Sequence, residues 1–160
     1  MLKSALFGLA FSYSLGMALA DKAPEFKLAD LNSGSIQLSD YKGKVVYLDF
    51  WATWCGPCRK SFPWMNDMQA KYKDQGLEII AISLDAKKKL VDSFLKKYPA
   101  KFKIALDPDG VSGDAYEVRV MPSSYLIDRK GDIIEQHMGF RDKDKETLEA
   151  SIKNAVAATN

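Results

Sequence analysis

Seven consecutive residues, Val45-Val46-Tyr47-Leu48-Asp49-Phe50-Trp51, hold one charged group among aliphatic, β-branched and aromatic side chains. Such a run is too short for a helix and too apolar to leave either face in water. It predicts a central strand covered on both sides, which confines the chain to layered α/β architectures. Asp49 is then desolvated. A carboxyl in that position either finds a cation, such as Lys44 or Lys71, or keeps its proton to a pH above the ordinary carboxylate range.

Trp54-Cys55-Gly56-Pro57-Cys58 follows at once and contains the only two cysteines of the 160-residue chain. Cross-link stabilisation grows with loop length, so a bridge across so small a ring does little to restrict the unfolded chain. The pair is suited to chemistry or to a metal. Gly56-Pro57 opens a helix, with proline in its tolerated first turn. A thiol at that junction faces unpaired backbone N–H groups and the positive end of the helix dipole. The Cys55 pKa is therefore expected below the ~8.5 of a free cysteine. Cys58 lies one turn onward and is expected to be less exposed. In this reading Cys55 attacks a disulfide and Cys58 resolves the mixed disulfide. A structural zinc site needs four ligands, and one histidine, His137, leaves the set incomplete. Copper held by two thiols and His137 stays open as an alternative function.

The rest of the chain divides simply. Lys3, the short apolar run Leu6–Leu15 and Ala18-Leu19-Ala20 have the form of a signal peptide, residues 1–20, with cleavage before Asp21. The apolar run is short for a membrane span, although an uncleaved anchor is the alternative. The address is then periplasmic and oxidising. Residues 21–160 make one domain with enough apolar residues for a full core. The chain carries 23 basic and 21 acidic side chains, a balance that argues against nucleic acid as a partner. Lys87–Lys89 and Lys96-Lys97 read as the solvated face of an amphipathic helix.

After a polar leader, strands are expected at 36–38, 45–51, 77–84 and 102–106, with helices at 57–72 and 87–98. A turn at Asp107–Gly110 precedes a short helix around 112–116. Antiparallel strands at 124–127 and 133–138 and a helix over 143–157 close the chain. The early β-α-β-α-β order builds a parallel sheet, with helices expected on both faces. Trp51, Trp64, Met65 and Met68 fall at core spacing.

Asp49 through Lys60 resembles the active-site segment of thioredoxin-fold oxidoreductases, and most closely that of the exported TlpA/ResA branch (DsbE/CcmG-like). Pro63 falls where the thioredoxin active-site helix is kinked, and Met121-Pro122 matches the loop that carries a cis-proline. The 64 positions from Cys58 to Pro122 leave room for the branch's extra strand and helix. The resemblance implies a thioredoxin fold, a mixed sheet flanked by helices, and a redox-active Cys55–Cys58 pair needing no cofactor. It implies a catalytic setting that includes Pro122 and the buried acid Asp49, whose carboxyl would exchange a proton with Cys58. Substrate would bind over Trp54, Gly56, Pro57, Met121 and Gly139, with Phe140 in the same apolar rim, and the Met121 backbone would pair with an extended client segment. Many relatives have asparagine at position 49 and an acid at position 61, where this chain has Asp49 and Ser61.

What the resemblance implies for activity is a disulfide reductant acting on protein substrates, as in cytochrome c or copper-site maturation. Its electrons would come from a membrane donor of the DsbD/CcdA type, and the molecule would be a monomer. A peroxidase of the same broad fold is disfavoured because Thr53-Trp54-Cys55 lacks the threonine and proline such an enzyme packs before its cysteine. His137 is expected to be exposed or capping.

Overall fold

Strand β3 (Val45–Trp51) is buried at all seven positions and hydrogen-bonded on both edges, as its composition demands. The structure, a computed structural model, describes residues 21–158; the expected signal segment lies outside them. Around β3 stand β1 (Lys27–Asp30), β2 (Ser35–Gln37), β4 (Leu77–Ser83), β5 (Lys103–Leu106), β6 (Ser123–Ile127) and β7 (Ile133–Met138). The sheet runs β2-β1-β5-β4-β3-β6-β7. Strands β3, β4 and β5 are parallel, while β6 and β7 add antiparallel strands on the other side of β3. The helices are α1 (Cys58–Tyr72), α2 (Lys88–Leu95), α3 (Val111–Ala115) and α4 (Lys145–Ala157). Among the described residues no helix is long and apolar enough to cross a membrane.

Alternation along β3 sorts the core into two layers. Val45, Tyr47 and Trp51 face α1, α2 and α4, where Trp51 meets Phe62 and Phe94 at ring-centroid distances of 4.7 Å each. Val46, Leu48 and Phe50 face Phe26, Ile36, Leu38 and Tyr116. The second layer is thus covered by the N-terminal segment and the residues around α3, so coverage of the two faces is uneven.

The polar leader needs correction, because its residues 27–30 form β1. This strand pairs with β2 and with β5, and so covers what would otherwise be a bare edge of β5. Its four residues are only half-buried in alternation, too weak a pattern to stand out in sequence. The start of the described chain is tied to the β6–β7 turn. Ala23 N–H donates to the Gly131 carbonyl, and Lys22 bridges to Asp132 at 2.7 Å. That turn lies at the Val45 end of β3, opposite the end that leads to the cysteines.

Arg129, in the same turn, donates to the carbonyls of Gly43, Gln75 and Val156 at 2.8, 3.0 and 3.0 Å. One guanidinium thereby joins three chain segments and the end of α4. Gly76 sits beneath it with φ of 95°, and a Cβ there would lie 2.7 Å from Arg129 Nη1. A left-handed backbone and an anchored neighbour both oppose a side chain. Gly76→Ala is expected to lower stability by roughly 1–3 kcal/mol, read as a shift in the urea midpoint with an unchanged slope.

Candidate active site

The parallel strands β3 and β4 end in register, Trp51 opposite Ser83, and this places two loops side by side. The first loop is Ala52–Pro57. Its Thr53 is gripped by Asp85 from the second: the carboxylate accepts the Thr53 N–H at 2.8 Å and the Thr53 hydroxyl at 2.7 Å. Asp85 is itself buried and accepts from the Ser83 hydroxyl at 3.0 Å. The turn just ahead of Cys55 is therefore clamped by a residue 32 positions away. Sequence reading missed Asp85. The available signal was a carboxylate just past the C-terminal end of a buried parallel strand, the end where α/β sheets build their sites.

Cys55 and Cys58 form a disulfide at the start of α1. Cys58 is fully buried, while Cys55 is 4% exposed and its Sγ accepts the Cys58 N–H at 3.3 Å. The first turn of α1 contains no acid, and Arg59 and Lys60 are exposed there. Cations beside a helix start, with the Cys58 N–H directed at Cys55 Sγ, are the setting that stabilises a thiolate. Ser61, where relatives often carry an acid, is buried and donates to the Cys58 carbonyl at 3.1 Å.

Asp49 lies on the same face of β3 as Tyr47 and Trp51, in the layer that contains both cysteines. It is 2% exposed, and its Oδ2 has no hydrogen-bond partner among the described residues. The lysines that could have paired with it are engaged elsewhere, Lys44 with Glu78 and Lys71 with Glu149. Burial without a partner raises the Asp49 pKa well above the ordinary carboxylate value.

The Met121–Pro122 bond is cis. The Gly139 N–H donates to the Pro122 carbonyl at 2.7 Å, which joins the end of β7 to this loop. Trp54 is 70% exposed, Gly56 and Pro57 are exposed, and Met121 is half-buried. Val120 and Met138, at 49% and 60% exposure, flank the loop and extend the apolar surface; neither was anticipated. Phe140 is the reverse case. Expected at the rim, it is buried with its ring 5.4 Å from that of Trp64, so it belongs to the core. A groove of about 320 Å³ beside Thr53 is lined by Arg59, Leu90, Phe94, Lys97 and Tyr98. A further pocket of about 330 Å³ lies at the Val45 end of the sheet and has no part in the site.

His137 also departs from expectation. It is neither fully exposed nor a cap but points onto the α4 side of the sheet, with its side chain 24% exposed and Nε2 3.5 Å from Asp144 Oδ2. Among the described residues no group of three or more His, Cys, Asp and Glu is placed to hold a metal ion. The copper alternative is therefore without support.

The buried acid has a thermodynamic signature. The native carboxyl holds its proton to a higher pH than the unfolded one, so its contribution declines as pH rises from the ordinary carboxylate range through the raised native pKa. Asp49→Asn removes that decline. The variant is expected to match the parent near pH 4 and to exceed it by a few kcal/mol at alkaline pH. Thermal melts across that range check the sign.

Comparison with known proteins agrees with this geometry. Residues 19–136 match the AhpC/TSA family. The thiol-disulfide oxidoreductase ResA of Bacillus cereus is 42% identical over 143 residues, covering 89% of this chain and 82% of the relative. ResA of Bacillus subtilis is 39% identical over 129 residues, covering 81% and 72%. Among solved structures, a Chlorobium tepidum protein assigned as thiol:disulfide interchange protein DsbE is 53% identical with a TM-score of 0.84, covering 86% of this chain and 97% of that one. A disulfide-bonded cysteine pair at a helix start on a thioredoxin fold and this kinship together place the chain in the AhpC/TSA family, as a thiol-disulfide oxidoreductase of the ResA type.

Proposed function

We propose that this protein is an exported reductant of protein disulfides, working as a monomer. The observation that carries this reading is the pairing of a sulfur at a cationic helix start with a fully buried partner in the same layer as an unpaired acid. Cys55 as thiolate attacks a client disulfide, forming one S–S bond and releasing one client thiolate. Asp49, as carboxylate, then takes the proton of Cys58. The Cys58 thiolate attacks Cys55 Sγ, closes the internal disulfide and releases the second client thiolate. Pro122 and the Met121 backbone line the approach of an extended client segment. Trp54, Gly56, Pro57, Gly139, Val120 and Met138 supply its apolar contacts.

The reductant role needs electrons in an oxidising compartment, and a membrane donor of the DsbD/CcdA type would supply them. Cytochrome c haem-site or copper-site cysteines are clients of the right chemistry. The signal-peptide reading of residues 1–20 supports periplasmic export.

Redox titration of the Cys55–Cys58 couple against glutathione and dithiothreitol tests the direction. A value in the thioredoxin range, near −270 mV, is expected; one near the −120 mV of DsbA would make the protein an oxidant. The order of the sulfurs is checked separately. Cys55→Ser abolishes insulin reduction, whereas Cys58→Ser still attacks and accumulates a mixed disulfide visible on non-reducing gels. Faster alkylation of Cys58 than of Cys55 in the reduced protein would reverse the two roles.

A further inference from the structure

Resolution of the mixed disulfide hands the Cys58 proton to Asp49, and an acid 2% exposed has little direct contact with bulk water through which to release it. The sheet register supplies a route. Asp49 stands opposite Ser124 across β3 and β6, and Ser124 stands opposite His137 across β6 and β7. Residues directly opposite in antiparallel strands project from one face with Cβ atoms about 4.5–5.5 Å apart. The three side chains therefore form a polar row from the middle of the sheet to its edge, on the face that also carries Tyr47, Leu126 and Glu135. Four buried side-chain nitrogen or oxygen atoms lack a hydrogen-bond partner among the described residues, two of them indole nitrogens. The other two, Asp49 Oδ2 and His137 Nε2, terminate this row. A cavity of about 10 Å³ opens beside it, lined by Tyr47, Ser124, His137 and Ser151 among others, roughly the space one water occupies.

We propose that Ser124 and His137 form a proton relay connecting Asp49 to solvent at the β7 edge. This rests on the reading of Asp49 as the proton acceptor for Cys58. In the reductive direction Asp49 receives the Cys58 proton and passes it through the Ser124 hydroxyl, which accepts one proton as it gives another. The imidazole takes it and releases it to water at the exposed edge; no electrons move in this limb. The opposite transfer returns a proton when a donor reduces the disulfide. His137 is suited to this because its ring both accepts and donates.

The groups facing His137 are consistent with that role. Tyr47, from β3, is held neutral by burial above all and then by the charge of Asp49, so it can donate but is no base. Asp144 sits 3.5 Å from Nε2, and the Arg141 guanidinium hydrogen-bonded to it holds its carboxyl below the ordinary range. It therefore stays anionic beside the imidazole. Glu135 flanks from β7 itself, and α4 contributes only Leu148 and Ser151 to the cavity wall.

The test is single-turnover reaction of the reduced protein with 5,5′-dithiobis(2-nitrobenzoate). The first thionitrobenzoate released reports Cys55 attack and the second reports Cys58 attack. Asp49→Asn is expected to slow the second release at pH 7 by about a hundredfold or more, the lower end of the range for general acid–base catalysis. Ser124→Ala and His137→Gln should each slow that phase and leave the first unchanged. Ser124→Thr should restore it, and added imidazole should accelerate His137→Ala. Neither Ser124→Ala nor His137→Gln should slow the Asp49→Asn protein further. Full-rate second release in Ser124→Ala and His137→Gln, with Asp49→Asn slow, overturns the relay and spares the role of Asp49. Losses that add to that of Asp49→Asn, or His137→Ala indifferent to imidazole, overturn it as well. Full-rate release in Asp49→Asn removes both readings.

Discussion

Burial of β3 on both faces and both edges is the constraint from which the other features follow. A strand enclosed in that way has one place to deliver function, its open C-terminal end, and there Trp51 gives way to the cysteine turn. The same enclosure turns the single acid on the strand from an ordinary surface charge into a group that resists ionisation. Among the described residues no lysine pairs with it, Lys44 and Lys71 being engaged by Glu78 and Glu149. The protein thus holds a destabilising group in the layer that contains its two sulfurs, a local inconsistency of the kind expected where function outweighs stability.

The electrostatics around the two cysteines run in opposite senses. The helix start, Arg59 and Lys60 favour negative charge on the outer sulfur, whereas the buried layer around Cys58 disfavours it. Under the proposed function, that gradient would separate an attacking thiol from a waiting one without any difference in residue type. The Asp85 clamp on Thr53 fixes the turn that carries Cys55. Ser61 adds no negative charge, and the first helical turn contains no acid.

Much of this was readable from residue order because it depends on local patterns. The run 45–51, the helix that follows the cysteines and the closing hairpin each carry a period long enough to identify. The cysteine turn and Met121-Pro122 carry a family motif. What escaped depends on contacts distant in sequence. Strand β1 exists because β5 needs a partner, and its own four residues say little. Asp85 acts on Thr53 only because two parallel strands end level with each other. Phe140 was placed at the rim for its neighbour Gly139, but the chain turns inward after that glycine and buries the ring against Trp64. His137 reads as a strand-end residue until the register shows which face it shares with Ser124.

The tie between Lys22 and Asp132 has a practical corollary. It holds the first described residues at the Val45 end of the sheet, opposite the end that leads to the sulfurs. An affinity tag, a surface linker or a fused protein attached ahead of Asp21 would therefore emerge behind the molecule and leave the apolar patch around Trp54 unobstructed.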